Sequence, residues 1–479
     1  MNSTLAIALF VAISMAVPTG QAPDRRSRPG TDSLPVWAPA ILKHRLSNGL
    51  PVWIVEQHEL PVVQMSLVVR TGTAADPPGR FGIASLTSAL LSEGAGARSA
   101  VEFADELDRL FANLSASTTA DTSLLRLYVP VAGLGAVLPL MADMVQRPTF
   151  PAPELDRARR QRLGMLRGVR DDPDAIAALA LARGLYGPSD RNAAPQIGSA
   201  SGLETIKVED VLTFHKSAYR PANSTLVVVG DVTPNDVLPL VETHFGKWQP
   251  AGQGEAIRAA TPEVPRPARQ LLLADVPDAP QSRILVGGVS ATSATADYFP
   301  IQVLNAVLRS RLSSTRTPTL RGSTTGVRSG FDRRRVAGPL ALGTAAQSDK
   351  TAEALAEMLG ELADLLTAIP ADELALAKKE VALDFSKTFE ATGRISSRLQ
   401  ALETLVTFDL PDDYYSTYAR AIQAVSADDV QRVATLYLQP EHLVIAIAGD
   451  RKSIEPRIRA LDIGPLTIVA IEDLFAAPK

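Results

Sequence analysis

The second half of this chain repeats the first. VEDVLTFHKSAYRPANSTLVVVGDV from Val208 aligns without a gap on ADDVQRVATLYLQPEHLVIAIAGDR from Ala427. Asp210 meets Asp429, Val211 meets Val430, Pro221 meets Pro440, Gly230 meets Gly449 and Asp231 meets Asp450, each pair 219 residues apart. The same offset carries Glu154-Leu155 onto Glu373-Leu374 and Arg160 onto Lys379. One offset held over such distances marks a duplicated domain, and a period this long excludes a solenoid. The stretch 249–269 (QPAGQGEAIRAATPEVPRPAR) is rich in Pro, Gly and Ala and reads as the linker. The organisation expected is an N-terminal domain over 42–248, a C-terminal domain over 270–470 and a tail over 471–479.

Each half mixes strand-like and helical segments. PVWIVE (51–56), VVQMSLVVR (62–70), 124–129 and STLVVV (224–229) read as strands. Residues 82–91, 99–113, 134–145 and 152–170 carry helical periodicity, the second opened by Ser99 as a cap. The class is α+β, two tandem homologous domains, each a mainly antiparallel sheet packed with helices. Ahead of them, Leu5–Val17 is an apolar run interrupted only by Ser14, too short for a comfortable membrane span. It reads as the core of a signal peptide (1–22), followed by a Pro-rich lead (23–41), so the chain is expected to be periplasmic or otherwise exported. No later segment has the apolar length of a transmembrane helix.

Composition narrows the chemistry. The chain has no cysteine, which removes disulfides, thiolate metal sites and cysteine nucleophiles. Its five histidines, His44, His58, His215, His244 and His442, are too scattered for a local metal motif and read as surface or hydrogen-bonded residues. A net charge of −4 provides no field to hold nucleic acid. Arg157, Arg159, Arg160, Arg162, Arg167 and Arg170 crowd one predicted helix and read as a solvated face.

The order LSNGLPVWIVE, FGIASLTSALLSEGAGARS, PTFPAPELDRARRQRL, YRPANSTLVVVGDV resembles the M16 family of insulinase, pitrilysin and the mitochondrial processing peptidase, over about 42–466. Active members of that family carry His-x-x-Glu-His on a helix, where two histidines one turn apart share a zinc ion and the glutamate activates water. Matching the motif to this sequence puts Ser85 and Ala89 at the histidine positions and Ser88 at the glutamate position. The third ligand would be a glutamate about 75 residues further on, yet no Glu lies between Glu154 and Glu204. The resemblance therefore implies a member with no catalytic residue and no metal of its own, zinc being expected in a partner subunit.

Such members imply a heterodimer with a zinc-carrying M16 peptidase subunit, the two half-shells enclosing peptide substrates. Their C-terminal domain carries an Arg and a Tyr that clamp the substrate. Here Leu320-Arg321 matches the Arg, whereas no Tyr occurs between Tyr298 and Tyr414. Arg321 is the substrate-binding candidate. The Ser-, Thr- and Arg-dense stretch 313–325 is unlike the family; a compensated frameshift in the coding DNA and true divergence both account for it. The competing classes are a structural or assembly protein on this fold and a stand-alone peptide-binding module, neither with proteolysis.

Overall fold

Short β-branched runs and longer amphipathic stretches alternate through both halves, and they fold as two sheets, each with helices. The computed structural model describes residues 40–249, 267–313, 317, 319–320, 326–390 and 395–475. The expected signal peptide, most of the Pro-rich lead, most of the linker and Arg321 lie outside the described residues.

The first half runs β1 (Leu42–Arg45), β2 (Pro51–Glu56), β3 (Val62–Val69), α1 (Ile83–Leu90), β4 (Gly94–Ala95), β5 (Arg98–Ser99), α2 (Ala100–Arg109), β6 (Asn113–Thr118), β7 (Ser123–Pro130), α3 (Leu134–Gln146), α4 (Ala152–Val169), α5 (Pro173–Tyr186), α6 (Ala200–Thr205), α7 (Val208–Ala218), β8 (Ser224–Gly230) and α8 (Pro234–Phe245). The second runs β9 (Gln270–Asp275), β10 (Gln281–Val289), α9 (Tyr298–Leu312), β11 (Arg328–Phe331), β12 (Pro339–Gln347), α10 (Thr351–Leu365), α11 (Ala371–Glu390), α12 (Ile395–Phe408), α13 (Tyr414–Ala424), α14 (Ala427–Tyr437), β13 (Val444–Gly449), α15 (Arg451–Ala460), β14 (Leu466–Val469) and α16 (Ile471–Phe475).

The duplication is visible in the topology. The six-stranded sheets have the orders β1-β2-β8-β3-β7-β6 and β14-β9-β13-β10-β12-β11. Apart from the edge strands β1 and β14, the strands follow one path, and β9 and β10 begin 219 residues after β2 and β3. Most pairings are antiparallel; β2 with β8, β9 with β13 and β9 with β14 are parallel. Local chemistry repeats too. The Asp210 carboxylate accepts the Lys207 N–H (2.8 Å) at the start of α7, and Asp429 accepts the Ser426 N–H (3.0 Å) at the start of α14. Ser99 and Glu102 cap α2 reciprocally, as the Ser99 pattern predicts.

The central strand of each sheet is buried on both faces, which is why β8 (STLVVVG) and β13 (VIAIAG) are apolar throughout rather than alternating. Leu226 and Val228 face the helices of their own half. Val227 and Val229 face the core of the second half, where α12 lies across β3 and β8. The exchange is reciprocal. Ile176, Ala177, Ala180 and Leu181 of α5 pack on Leu272, Ala274, Val444, Ala446 and Ala448 of the second sheet. Small residues let α5 approach closely: a Cβ on Gly184 would come 2.5 Å from a Val444 methyl carbon. Arg126 of β7 and the buried Glu403 of α12 add a two-pronged ion pair at 2.7 and 2.6 Å. The expected tail from 471 begins with α16, whose Leu474 and Phe475 are buried in the α5 layer.

Overpacking at this contact is expected to act on the whole chain. Gly184→Leu should lower unfolding stability by about 1–3 kcal/mol, read as a lower denaturant midpoint, with both halves still unfolding together. An unchanged midpoint would show that α5 does not hold the halves together.

Candidate functional site

Helix α1 is set in place by its first turn. Gly82 adopts φ +107°, and a Cβ there would come 2.7 Å from Gly198 Cα. The buried Asp76 carboxylate accepts the Gly82 N–H (2.7 Å) and the Ala84 N–H (2.9 Å). Arg191 donates to the same carboxylate at 2.9 Å. Burial raises the Asp76 pKa, opposed by the Arg191 charge and the two N–H donors.

One turn later the side chains diverge. Ser85 is half-buried and its hydroxyl donates to Gln196 O (2.9 Å). Ser88 points into the core, bonded to the Tyr219 hydroxyl (3.0 Å) and accepting from Thr118 of β6 (2.7 Å). Ala89 is exposed. Tyr219 is buried and stacks on His215 at 4.8 Å between centroids. His215 Nε2 donates to Val145 O (2.9 Å), and burial pushes its pKa down to about 4, so this is a neutral core histidine.

The α4 side chain that meets α1 here is Arg162. Its Nη1 donates to Ser85 Oγ (2.7 Å) and Ile197 O (3.0 Å), and its Nη2 donates to Ser85 O (2.8 Å). One guanidinium thus ties α1, α4 and the loop before α6. Burial pushes it down to about 10, still protonated at neutral pH.

Arg157, Arg160, Arg167 and Arg170 are exposed, as a solvated face requires, whereas Arg159 and Arg162 are half-buried against neighbouring elements. Arg157 pairs with Glu93 and Glu154, both at 2.6 Å. Arg159 donates to the backbone oxygens of Leu203 (2.9 Å) and Ile206 (2.6 Å). Arg170 lies over the Phe475 ring. Of the other histidines, His58 pairs with Asp231 (2.7 Å) and Glu56 (3.2 Å), which raise its pKa, and His442 bonds Pro267 O (2.8 Å). Arg321 lies outside the described residues; just before it, the Thr319 and Leu320 N–H groups donate to Glu357 at 3.0 Å.

Two family models match the chain: Insulinase (Peptidase family M16) over 52–187 and Peptidase M16 inactive domain over 205–381. The chain belongs to the M16 family. A protein of Mycobacterium tuberculosis described as an uncharacterized zinc protease is 26% identical over 84% of this chain and 93% of its own length. The β subunit of the mitochondrial-processing peptidase of Blastocladiella emersonii is 23% identical over 56% of each chain. The M16 fold is shared with a peptidase M16 inactive domain from Pseudomonas fluorescens (TM-score 0.76, 24% identity, 86% of this chain and 98% of that one). A protease from Helicobacter pylori aligns with a TM-score of 0.78 at 19% identity, over 86% of this chain and 99% of that one.

On this M16 helix the zinc positions do not fit a zinc ion. Ser85 offers a neutral hydroxyl already engaged by Arg162, Ala89 offers a methyl group, and α4 contributes a cation instead of a carboxylate. Ser88 has no proton affinity to activate water at neutral pH. Among the described residues no three His, Asp or Glu side chains are grouped to hold a metal. The distance in sequence from Ser85 to Arg162, 77 residues, was the one signal that could have marked Arg162.

Arg162→Met keeps the length of the side chain and removes its donors. It should lower stability by about 1–3 kcal/mol by leaving Ile197 O without its donor and removing the polar joint between α1 and α4, read from urea unfolding. Arg162→Lys should recover only part of this, since one ammonium cannot reproduce the guanidinium fork. Wild-type stability in the Met variant would remove the structural role given to Arg162.

Proposed function

We propose that this chain is the non-catalytic subunit of an M16-type zinc endopeptidase, forming half of a peptide-enclosing chamber opposite a zinc-carrying partner. The observation that carries this reading is the guanidinium of Arg162 bonded to Ser85, where a metal site would need a carboxylate and an imidazole. In this reading the chain binds no cofactor, and zinc belongs to the partner.

The sheet edge beside α1 supports a part in peptide binding. Strand β6 is the edge of the first sheet, paired only with β7 among the described residues, and its Thr118 touches Ser88. An extended peptide could add to it through backbone hydrogen bonds, with weak sequence preference. Export to the periplasm accompanies the proposal, resting on the leader-like 1–22. No helix among the described residues is long and apolar enough to cross a membrane.

The test is co-production with a zinc-carrying M16 peptidase from the same source, followed by cleavage of an extended fluorogenic peptide. The two chains should purify together, and the pair should cleave several-fold faster than the zinc subunit alone. Equal rates with and without this chain would refute the subunit role and favour an assembly protein or a stand-alone peptide-binding module.

A further inference from the structure

A cavity of about 840 Å³ opens where the two halves meet, and it shares no lining residue with the α1 site. The first half contributes Arg70 and Asp121, and the second contributes Arg333, Arg335 and Asp409. Its apolar wall is aromatic: Tyr298, Phe299, Phe408 and Tyr414.

The charges in this wall do not cancel. Arg70 and Arg335 both pair with Asp409, at 2.7 and 2.8 Å. Asp121 accepts the backbone N–H of Arg335 at 3.1 Å. Arg333 has no carboxylate within ion-pair distance among the described residues. It donates to the Tyr414 hydroxyl (3.2 Å) and to Ser293 O (3.4 Å), both neutral and both at the long end of the range.

The guanidinium lies 4.1 Å from the Tyr298 ring centroid and 4.7 Å from that of Phe408. The rings hold its charge in place. Two of its five N–H donors are used. Of the three others, one is on the buried Nε and two are on the Nη atoms, which are the donors left for a ligand. A fixed guanidinium with spare donors beside an aromatic wall is the equipment for a planar anion with an apolar body. Two carboxylates in the same wall disfavour a dianion such as phosphate, whereas a single charge matches the single unpaired cation.

We propose that this cavity binds a monocarboxylate with an apolar, aromatic-sized body, the carboxylate on Arg333 and the body against Tyr298, Phe299, Phe408 and Tyr414. Such a group occurs at the C-terminus of a peptide and in free small organic acids. The proposal does not depend on the subunit role and is tested on the chain alone.

Isothermal titration of the full chain with N-acetylphenylalanine, 3-phenylpropionate, N-acetylphenylalaninamide and inorganic phosphate separates the cases. At least one acid should bind, and the neutral amide and phosphate should bind about tenfold more weakly or not at all. Binding of N-acetylphenylalanine alone would assign peptide termini. Comparable binding of 3-phenylpropionate would assign free acids. Arg333→Gln should abolish acid binding. Failure of both acids to bind, or equal binding of acid and amide, would overturn the proposal, as would full acid binding by a folded Arg333→Gln. The acid–amide comparison on the unsubstituted chain decides the matter even if the variant does not fold.

Discussion

Each sheet of this protein depends on the other half of the chain for one of its two faces. Helix α12 covers the first sheet through β3 and β8, and α5 covers the second through Val444, Ala446 and Ala448. Neither half could bury its strands alone, because β8 and β13 are apolar on both sides. The two domains are thus one folding unit built from a repeat, and the cavity at Arg333 exists because the halves are locked together with loops from both at their seam.

The same economy governs α1. In a metal-binding relative the helix and the long helix facing it would be joined by ligands to one ion. Here a guanidinium makes the joint, with hydrogen bonds to a hydroxyl and two carbonyls. A half-buried cation lies between the two helices, and it is covalently part of the chain. The geometry keeps the M16 scaffold, with β6 at the sheet edge among the described residues, and joins α1 to α4 through a side chain.

Much of this was legible in the sequence because it rests on local or periodic chemistry. The offset of 219 announced the duplication, which β9 and β10 obey by starting that far after β2 and β3, and Ser99 announced its own cap. The serines and alanine on α1 were readable as lost ligands only through the resemblance to the M16 motif. The exchange of α5 and α12 was not readable: continuous apolar strands say that both faces are buried and nothing about what buries them. The α4 arginines were read correctly in part: Arg157, Arg160, Arg167 and Arg170 are exposed. Arg159 and Arg162 depart from that reading because the carbonyls of Ile197, Leu203 and Ile206, distant in sequence, are brought against them. The Arg333 cavity is assembled from loops and helix ends of both halves, where no periodicity exists to read.

With Arg162 bonded to Ser85, α1 and α4 present no set of zinc ligands at this joint. Zinc content is the most direct measure of that: the purified full chain is incubated with excess zinc, freed of loosely held ion and analysed by atomic emission. Zinc far below one ion per chain is expected. One tightly held zinc per chain would contradict the absence of a site.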